Sequence, residues 1–210
     1  MTEIKGIDVS HWNGNIDFKK VKAAGIDFVI IKAGGSDKGF YTDPKFNRNY
    51  KEAKAAGLNV GAYYFVGKNF LGEANGIADA KRFLKIIEGK QFEMPVYLDE
   101  ETTSAQKKAM ATIASKAFCE CMEAAGYFVG IYASDISGFK DKLDVSKLKD
   151  FTLWVARYGS KPQYVKDPGM WQYSSKGAVK GISGSVDLDT AYVDFTKAIK
   201  KKGLNGFKKK

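Results

Sequence analysis

Short apolar segments with strand character recur along the whole chain. Eight of them are rich in Val, Ile, Tyr and Phe and are bounded by Gly or polar residues. Short apolar runs between turn residues are typical of buried β-strands. The predicted strands are Ile4–Val9, Asp27–Lys32, Leu58–Val66, Met94–Glu101, Tyr127–Ala133, Thr152–Arg157, Met170–Tyr173 and Ser185–Leu188.

Amphipathic helix patterns separate the earlier strands. Four of the helix ends carry a glycine at the position after the last turn, where the backbone often becomes left-handed: Gly25, Gly57, Gly89 and Gly126. The predicted helices are Asp17–Ala24, Pro44–Ala56, Gly72–Glu88, Ser104–Ala125, a weaker one from Ser134 to Leu148, and a last one from Tyr192 to Lys202.

The spacing of the strands predicts the fold class. The first five intervals between strand starts run from 23 to 36 residues, and the last two are 18 and 15 residues. A parallel crossover needs a dozen or more residues besides the strands, so only the first five intervals hold a helix. We predict an α/β fold, a TIM-like barrel of eight strands in which five βα units precede three strands with few or no helices.

The 210-residue length suits one domain, and 44% hydrophobic residues are enough for a sizeable core. We predict a catalytic domain over residues 1–203 and a basic C-terminal tail over residues 204–210. No run of 18 apolar residues occurs, so no membrane span is expected. The first residues lack an apolar signal segment, which predicts synthesis in the cytoplasm without a signal peptide, unless such a signal has been trimmed.

Charge and composition narrow the chemistry. With 34 basic and 24 acidic residues the net charge is +10, which favours an anionic partner. The single histidine, His11, excludes zinc sites that need two histidines, and the two cysteines, Cys119 and Cys121, are read as ordinary thiols. Phosphate-loop and dinucleotide motifs are absent. We therefore expect no metal and no cofactor.

Acidic residues cluster at the predicted strand ends. Asp8 ends the first strand, Asp99 and Glu101 end the fourth, and Asp187 lies on the eighth. Active sites of such barrels lie at the C-terminal strand ends, so these carboxylates should converge. Asp99 and Glu101 are two apart and should share one face, with Cα atoms about 6.6 Å apart. Paired carboxylates at such spacing are typical of enzymes that hydrolyse glycosidic bonds. Helix capping or salt bridges could also explain each acid singly.

Aromatic residues on or after the strands suit a sugar-binding groove. A Mg²⁺ or Ca²⁺ site made from Asp8, Asp99 and Asp187 is a weaker alternative, because no calcium-loop spacing is present. Nucleic-acid binding through the basic surface fits poorly with an acidic mouth, and we expect none.

Eight segments in register carry a specific resemblance. They are GIDVSHWNGNIDF, FVIIKAGG, GAYYF, PVYLDEE, GIYAS, LWVARYG, MWQYSS and SVDLD, one on each predicted strand in order. The chain from Ile4 to Tyr192 resembles glycoside hydrolase family 25, the Chalaropsis-type lysozymes. That resemblance implies a barrel of five βα units with three further strands.

The resemblance also implies an activity and a set of residues. Members are retaining enzymes that hydrolyse the β-1,4 bond between N-acetylmuramic acid and N-acetylglucosamine in peptidoglycan. Glu101 matches the general acid/base, and Asp99, Asp8 and Asp187 match the other acidic residues of the site. Whether a carboxylate or the substrate N-acetyl group attacks is left open. Substrate-binding positions are matched by Tyr63, Tyr132, Trp154, Trp171 and Gln172, and His11 is a further candidate.

One position departs from the family pattern. The middle residue of the D-x-E motif is usually apolar, whereas here it is Glu100. We expect Glu100 to face outward, toward the helix layer or solvent near Lys or Arg. A bulge at the strand end would instead turn it into the mouth and put the identity of the acid in doubt.

The resemblance sets the expected partners. They are peptidoglycan glycan strands, and anionic cell-wall polymers attracted by the basic surface, with the protein a monomer. Action on the bacterial cell wall after phage-type release, as by an endolysin, is expected. Two alternatives remain: another retaining β-glycan hydrolase, of chitinase or glucosaminidase type, and a non-catalytic cell-wall-binding barrel.

Overall fold

A closed barrel of eight strands forms the body of the protein in the computed structural model, which describes residues 3–209. The sheet order is β1-β9-β8-β7-β6-β5-β4-β2, and pairing of β1 with β2 closes the ring. The two-residue β3 is an extra strand on β2. The strands are β1 (Ile4–Val9), β2 (Phe28–Gly35), β3 (Tyr41–Thr42), β4 (Asn59–Phe65), β5 (Val96–Asp99), β6 (Val129–Ser134), β7 (Thr152–Ala156), β8 (Met170–Gly177) and β9 (Val186–Ala191).

Among the eight barrel strands, direction changes only at the last one. The strands β1, β2 and β4 through β8 run parallel to their neighbours in the ring, whereas β9 is antiparallel to both β8 and β1. The small β3 outside the ring is antiparallel to β2. The predicted eight-stranded TIM-like barrel is confirmed. The antiparallel β9 closes it without a crossover helix, because antiparallel strands need only a short connection.

Five α-helices accompany the barrel in the described residues 3–209: α1 (Phe18–Ala23), α2 (Phe46–Ala55), α3 (Gly72–Ile87), α4 (Lys108–Ala124) and α5 (Phe195–Lys202). The four predicted helix-end glycines all have positive φ, between 71° and 87°. The predicted helix over Ser134–Leu148 is wrong. A six-residue π-helical turn, Asp135–Lys140, and a 3₁₀ turn, Val145–Lys147, stand there instead. Gly138 within the turn and the Asp144 side chain, which caps Ser146, favour short turns over a continuous helix.

The core has two layers separated by the barrel wall. Outward side chains such as Val29, Val60 and Ile131 pack beneath the helices. Inward side chains, among them Phe28 and Trp154, fill the barrel. Gly6 is required at the lower end, because a Cβ there would lie 2.1 Å from the Phe28 ring. The barrel is therefore a packed core that leaves only its upper mouth for a ligand.

The lower end of the barrel is closed by α5 and the residues that follow it. Phe195 and Ile199 of α5 pack into the interior cluster. Asn205 is fully buried, and its side chain binds the carbonyl oxygens of Phe92 and Met94 and the backbone N–H of Phe128. The boundary predicted between residues 203 and 204 stays a prediction, although the contacts of Asn205 join the residues beyond it to the barrel. Within residues 3–209, no helix is long and apolar enough to cross a membrane.

Candidate active site

Three acidic residues from different strands meet at the upper mouth of the barrel. Asp8 lies at the C-terminal end of β1, and Asp99 is the last residue of β5. Asp187 lies at the start of β9, directly opposite Asp8 in the β1–β9 pairing. Residues that are direct cross-strand partners face the same side of a sheet, so Asp8 and Asp187 point into the same space.

Asp187 lies at the mouth because β9 is antiparallel to its neighbours. In parallel strands only the C-terminal end lies at the upper rim. Because β9 runs the other way, its first residues reach that rim. Asp189, two residues further on, shares the inward face of Asp187 but lies one layer deeper, opposite Gly6.

Burial and mutual repulsion perturb these carboxyl groups. Burial raises the pKa of Asp8 well above its usual range, and the charge of Asp187 raises it further, while a hydrogen bond from Gln172 opposes the shift. The pKa of Asp99 is likewise raised, by burial and then by Glu101, against the opposing charge of Lys32. Such shifts cluster where a protein assigns acid and base roles.

Glu101 is the second residue after β5 and stands at the open edge of the mouth. The strand ends at Asp99, two residues earlier than predicted, so strand alternation does not place the Glu101 side chain. Burial among protein atoms raises the pKa of Glu101, the charges of Lys142 and Lys32 lower it, and Glu100 and Asp187 raise it. The Lys142 ammonium also donates to the Glu101 carbonyl oxygen across 2.6 Å and so holds this turn.

Glu100 has turned away from solvent and is fully buried. Its Oε1 accepts hydrogen bonds from the Thr103 N–H at 3.0 Å and the Thr103 hydroxyl at 2.6 Å. Of the two surroundings expected for an outward-facing Glu100, solvent is excluded by this burial. Among residues 3–209, no Lys or Arg forms an ion pair with Glu100. Glu100 therefore shapes the turn that follows β5, and Glu101 remains the exposed acid.

Gln172 of β8 links the acidic mouth to two tyrosines. Its amide nitrogen donates to Asp8 Oδ2 across 2.7 Å. Its amide oxygen accepts hydrogen bonds from the hydroxyl groups of Tyr132 at 2.9 Å and Tyr158 at 2.8 Å. Gln172 thus holds one oxygen of Asp8 in place. It also positions the rings of Tyr132 and Tyr158, from the ends of β6 and β7, at the mouth.

Aromatic side chains form the floor beneath the acids. Trp154 is 1% exposed and contacts the rings of Tyr132, Tyr97 and Tyr63 at centroid distances of 4.5, 5.1 and 6.2 Å. Its indole N–H donates to Asp189 across 2.8 Å. Trp154 therefore supports the floor from below, whereas the half-buried Tyr63 and Tyr132 border the space above it.

The two remaining predicted binding residues differ in their placement. Trp171 is next to Gln172 on β8 and so lies on the opposite face, where its indole N–H donates to the Arg157 carbonyl oxygen. The structure does not bring it into the mouth. His11 lies at the rim, where Asp43 Oδ2 accepts from its backbone N–H and lies 2.7 Å from Nδ1. With the exposed Trp12, His11 borders a cavity of about 410 Å³.

Sequence reasoning left three residues out of the predicted site. Lys32 shares the inward face of Ile30 on β2, and its ammonium lies 4.3 Å from the centre of the Phe65 ring. Asp189 shares its face with Asp187, so period-two alternation along SVDLD was the signal for it. The buried Asp43 follows the small strand β3 and had no signal in the sequence, since β3 was not predicted.

Oxygen ligands for a metal are not arranged here. Within the described residues 3–209, no group of three or more His, Cys, Asp or Glu side chains has the geometry to hold an ion. What the arrangement provides is a partly open carboxyl of raised pKa beside buried carboxyl groups, over an aromatic floor.

Comparison with known proteins agrees with this geometry. The model of the family "Glycosyl hydrolases family 25" matches residues 7–182. The autolytic lysozyme of Clostridium acetobutylicum is 35% identical over 187 residues, which cover 89% of this chain and 55% of that protein. The chain thus spans about half the length of that relative.

Solved structures share the fold. The CTP1L endolysin superposes with a TM-score of 0.80 at 33% identity, covering 93% of this chain and 69% of that one. The autolysin LytC of Streptococcus pneumoniae, in complex with a synthetic peptidoglycan ligand, has a TM-score of 0.79 at 28% identity, covering 90% of this chain and 47% of that one. The match to the family model covers most of the chain, and we conclude that this protein is a member of glycosyl hydrolase family 25.

Proposed function

We propose that this protein is a lysozyme, a 1,4-β-N-acetylmuramidase that cleaves peptidoglycan glycan strands between N-acetylmuramic acid and N-acetylglucosamine. The observation that carries the proposal is the convergence of Asp8, Asp99 and Asp187 at an open mouth edged by Glu101. Burial, which raises the pKa of Glu101, supports its role as an acid. Family membership and the names of the lysozyme, endolysin and autolysin relatives support it.

Glu101 acts as the general acid/base. A glycosidic oxygen is a poor leaving group unless it is protonated, because it would otherwise depart as a strongly basic alkoxide. The acid must therefore still hold its proton near neutral pH. Burial and the charges of Glu100 and Asp187 favour the protonated form of Glu101. After bond cleavage the resulting carboxylate takes a proton from the attacking water, as a retaining mechanism requires.

The other carboxylates stabilise positive charge at the anomeric carbon. Asp99 and Asp8 lie on strands at different points around the mouth. Burial raises the pKa of both, and the charge of Asp8 adds to the shift of Asp99, so the two carboxyl groups act on the same space. An oxocarbenium-like centre in that space would be stabilised electrostatically in a site with few competing waters. The group that attacks the anomeric carbon is either one of these carboxylates or the substrate N-acetyl group, and both routes retain the anomeric configuration.

Substrate binding is assigned to the residues at the mouth. Tyr63, Tyr132 and Gln172 border the acids, and His11 with Trp12 extends the surface along the rim. Aromatic faces match the C–H faces of sugars, and the amide provides orientation. Trp154 and Trp171 contribute indirectly, the first through Asp189 and the second through the loop that carries Tyr158.

Clearing of Gram-positive cell walls tests the proposal. Wild type should release glycan fragments with muramic acid at the new reducing ends, and Glu101→Gln should lose about a hundred- to ten-thousandfold in rate. Glu100→Gln is the matched control, because it keeps the acceptor for Thr103 and should remain active. Glucosamine at the new ends would identify another β-glycan hydrolase. Binding without any release would leave only a wall-binding barrel.

We also propose that the basic surface, with a net charge of +10, concentrates the protein on anionic wall polymers. The test compares binding of Glu101→Gln to walls before and after removal of teichoic phosphates. Binding should weaken on removal and fall with rising salt, because exposed charges are screened. Equal binding to both wall preparations would refute this attraction.

A further inference from the structure

The hydrogen-bond directions around Gln172 show that Oδ2 of Asp8 carries no proton. The hydroxyl of Tyr132 donates only to Gln172 among the contacts of the described residues, and Tyr158 donates to the same amide oxygen. Burial raises the pKa of Tyr132, and that of Tyr158 to about 12, so both phenols keep their protons. Two donors on one side require the amide oxygen there. The amide nitrogen therefore faces Asp8, whose Oδ2 must accept.

Asp189 lies directly beneath Asp8 with one oxygen that no donor reaches. It is fully buried, and its Oδ1 accepts from the Trp154 indole N–H at 2.8 Å. Its Oδ2 has no hydrogen-bond partner among residues 3–209. Pairing of Gly6 with Asp189 places the Asp8 carboxyl on the same inward face, one layer above, as the acid nearest along the β1–β9 pairing to share a proton with Asp189. Two neighbouring buried carboxyl groups would repel each other if both were ionised, whereas one proton shared between them satisfies both.

We propose that Asp189 is a neutral carboxylic acid that donates its proton in a hydrogen bond to Asp8, and that this bond holds Asp8 ionised and oriented at the mouth. Every hydrogen bond in this network then has one donor and one acceptor. Tyr132 and Tyr158 donate to Gln172, Gln172 and Asp189 donate to Asp8, and Trp154 donates to Asp189. Asp189 is a positioning residue, since Asp8 stands between it and the space for the substrate.

The groups packed against Asp189 favour this protonation state. Burial raises its pKa well above the usual range, and the charges of Asp8 on β1 and Asp187 on β9 raise it further, while the Trp154 hydrogen bond lowers it. The other titratable groups that it faces are the phenols of Tyr97 on β5 and Tyr173 on β8, which are neutral. The Asp189 hydrogen bond acts on Asp8 in the opposite sense and favours its ionised form.

Carbon-13 NMR of the labelled wild-type protein tests the assignment without substrate. The side-chain carboxyl shifts of Asp8 and Asp189 distinguish an acid from a carboxylate in the same molecule. At pH 6 we expect Asp189 to report a protonated carboxyl and Asp8 a carboxylate. The reverse pattern, or two carboxylates, would overturn the proposal. This readout is independent of the proposed function and stands even if no muramidase activity is found.

Kinetics test the consequence, which rests on the proposed function. Asp189→Asn keeps a donor toward Asp8 and an acceptor for Trp154, so it should retain at least about ten times the kcat of the similarly sized Asp189→Leu. Asp189→Leu should lose about ten- to a hundredfold relative to wild type. Asp79→Asn removes a buried carboxyl outside the mouth and controls for general damage. Equal kcat values for the folded Asn and Leu variants would contradict a donor role.

Discussion

Asp8 and Asp187 are direct partners across the antiparallel pairing of β1 with β9, with both carboxyls on the inward face of the barrel. Like charges placed directly opposite each other destabilise a sheet. The pKa of each group is accordingly raised, by burial first and for Asp8 next by the charge of Asp187. The mouth thus carries an electrostatic cost that packing elsewhere offsets, as is common at functional sites.

Stability should depend on pH through the buried acids. The pKa of Asp99 is raised in the folded state, so its contribution is present below the unfolded pKa of about 4 and lost as pH rises toward the folded pKa. We expect Asp99→Asn to melt at a higher temperature than wild type at pH 7, an advantage that vanishes at pH 3, while activity is lost. Thermal melts across this range measure it.

Asp135→Asn is the control of opposite sign. Despite burial, backbone N–H groups of Gln163, Val165 and Tyr164 and the charge of Arg157 lower the pKa of Asp135. Its stabilisation is present above the unfolded pKa and lost as pH falls, so Asp135→Asn should be less stable than wild type at pH 7. If pH changes the melting temperature of both variants, relative to wild type, in the same direction, the direction of the pKa shift is wrong for Asp99 or for Asp135.

Lys142 should set the alkaline limit of activity. Its charge lowers the pKa of Glu101, so Lys142→Met should move the alkaline limb of kcat to higher pH. The maximum rate should fall by less than about tenfold, since the acid itself is untouched. Rate profiles of wild type and Lys142→Met give the comparison, with Lys140→Met, on the neighbouring turn, as control. An unmoved limb would show that another group limits the rate.

Gln172→Leu should damage both the site and the fold. Loss of the amide removes the donor to Asp8 and the acceptor for two tyrosines. We expect unfolding free energy to fall by about 1–3 kcal/mol and kcat by tenfold or more. Tyr158→Phe removes one donor only and should cost about 1 kcal/mol or less, because this side chain is 53% exposed. Urea denaturation measures both variants, and equal losses would contradict the central place of Gln172.

Asn205→Ala should destabilise the protein without changing kcat. The side chain satisfies two carbonyl oxygens and one N–H of the buried lower end. Leaving them without partners should cost about 2–5 kcal/mol in unfolding free energy. Lys208→Ala, three residues further on and exposed, is the control. If Asn205→Ala is as stable as wild type, residues 204–210 are a dispensable tail, as the predicted domain boundary implies.

Local patterning was enough to predict most of the fold. Apolar runs such as FVIIKAGG and glycines such as Gly57 report on burial and backbone conformation, which neighbouring residues determine directly. The helix over Ser134–Leu148 failed because its Asp135 carboxylate is committed to three N–H groups of a loop nearly thirty residues away. A partner at that distance leaves no periodic signal.

Within the site, alternation along the chain separated Glu100 from Asp99 but did not show where Glu100 would find its partner. The turn after β5 brings Thr103 back to it, which depends on backbone geometry beyond the strand. Trp154 and Trp171 both looked like groove residues. Barrel closure buries the first in the interior, and strand register puts the second on the opposite face of β8 from Gln172.

The sequence by itself determined the eight barrel strands and the barrel class and provided four candidate acids, because periodicity and residue chemistry are local properties. Only the tertiary structure decided which acids meet. The antiparallel direction of β9 puts Asp187 opposite Asp8 and Asp189 beneath it, and Gln172 and Trp154 supply the donors. Hydrogen-bond direction and desolvation depend on neighbours that are distant in the chain, and they set the proton positions on which the chemistry depends.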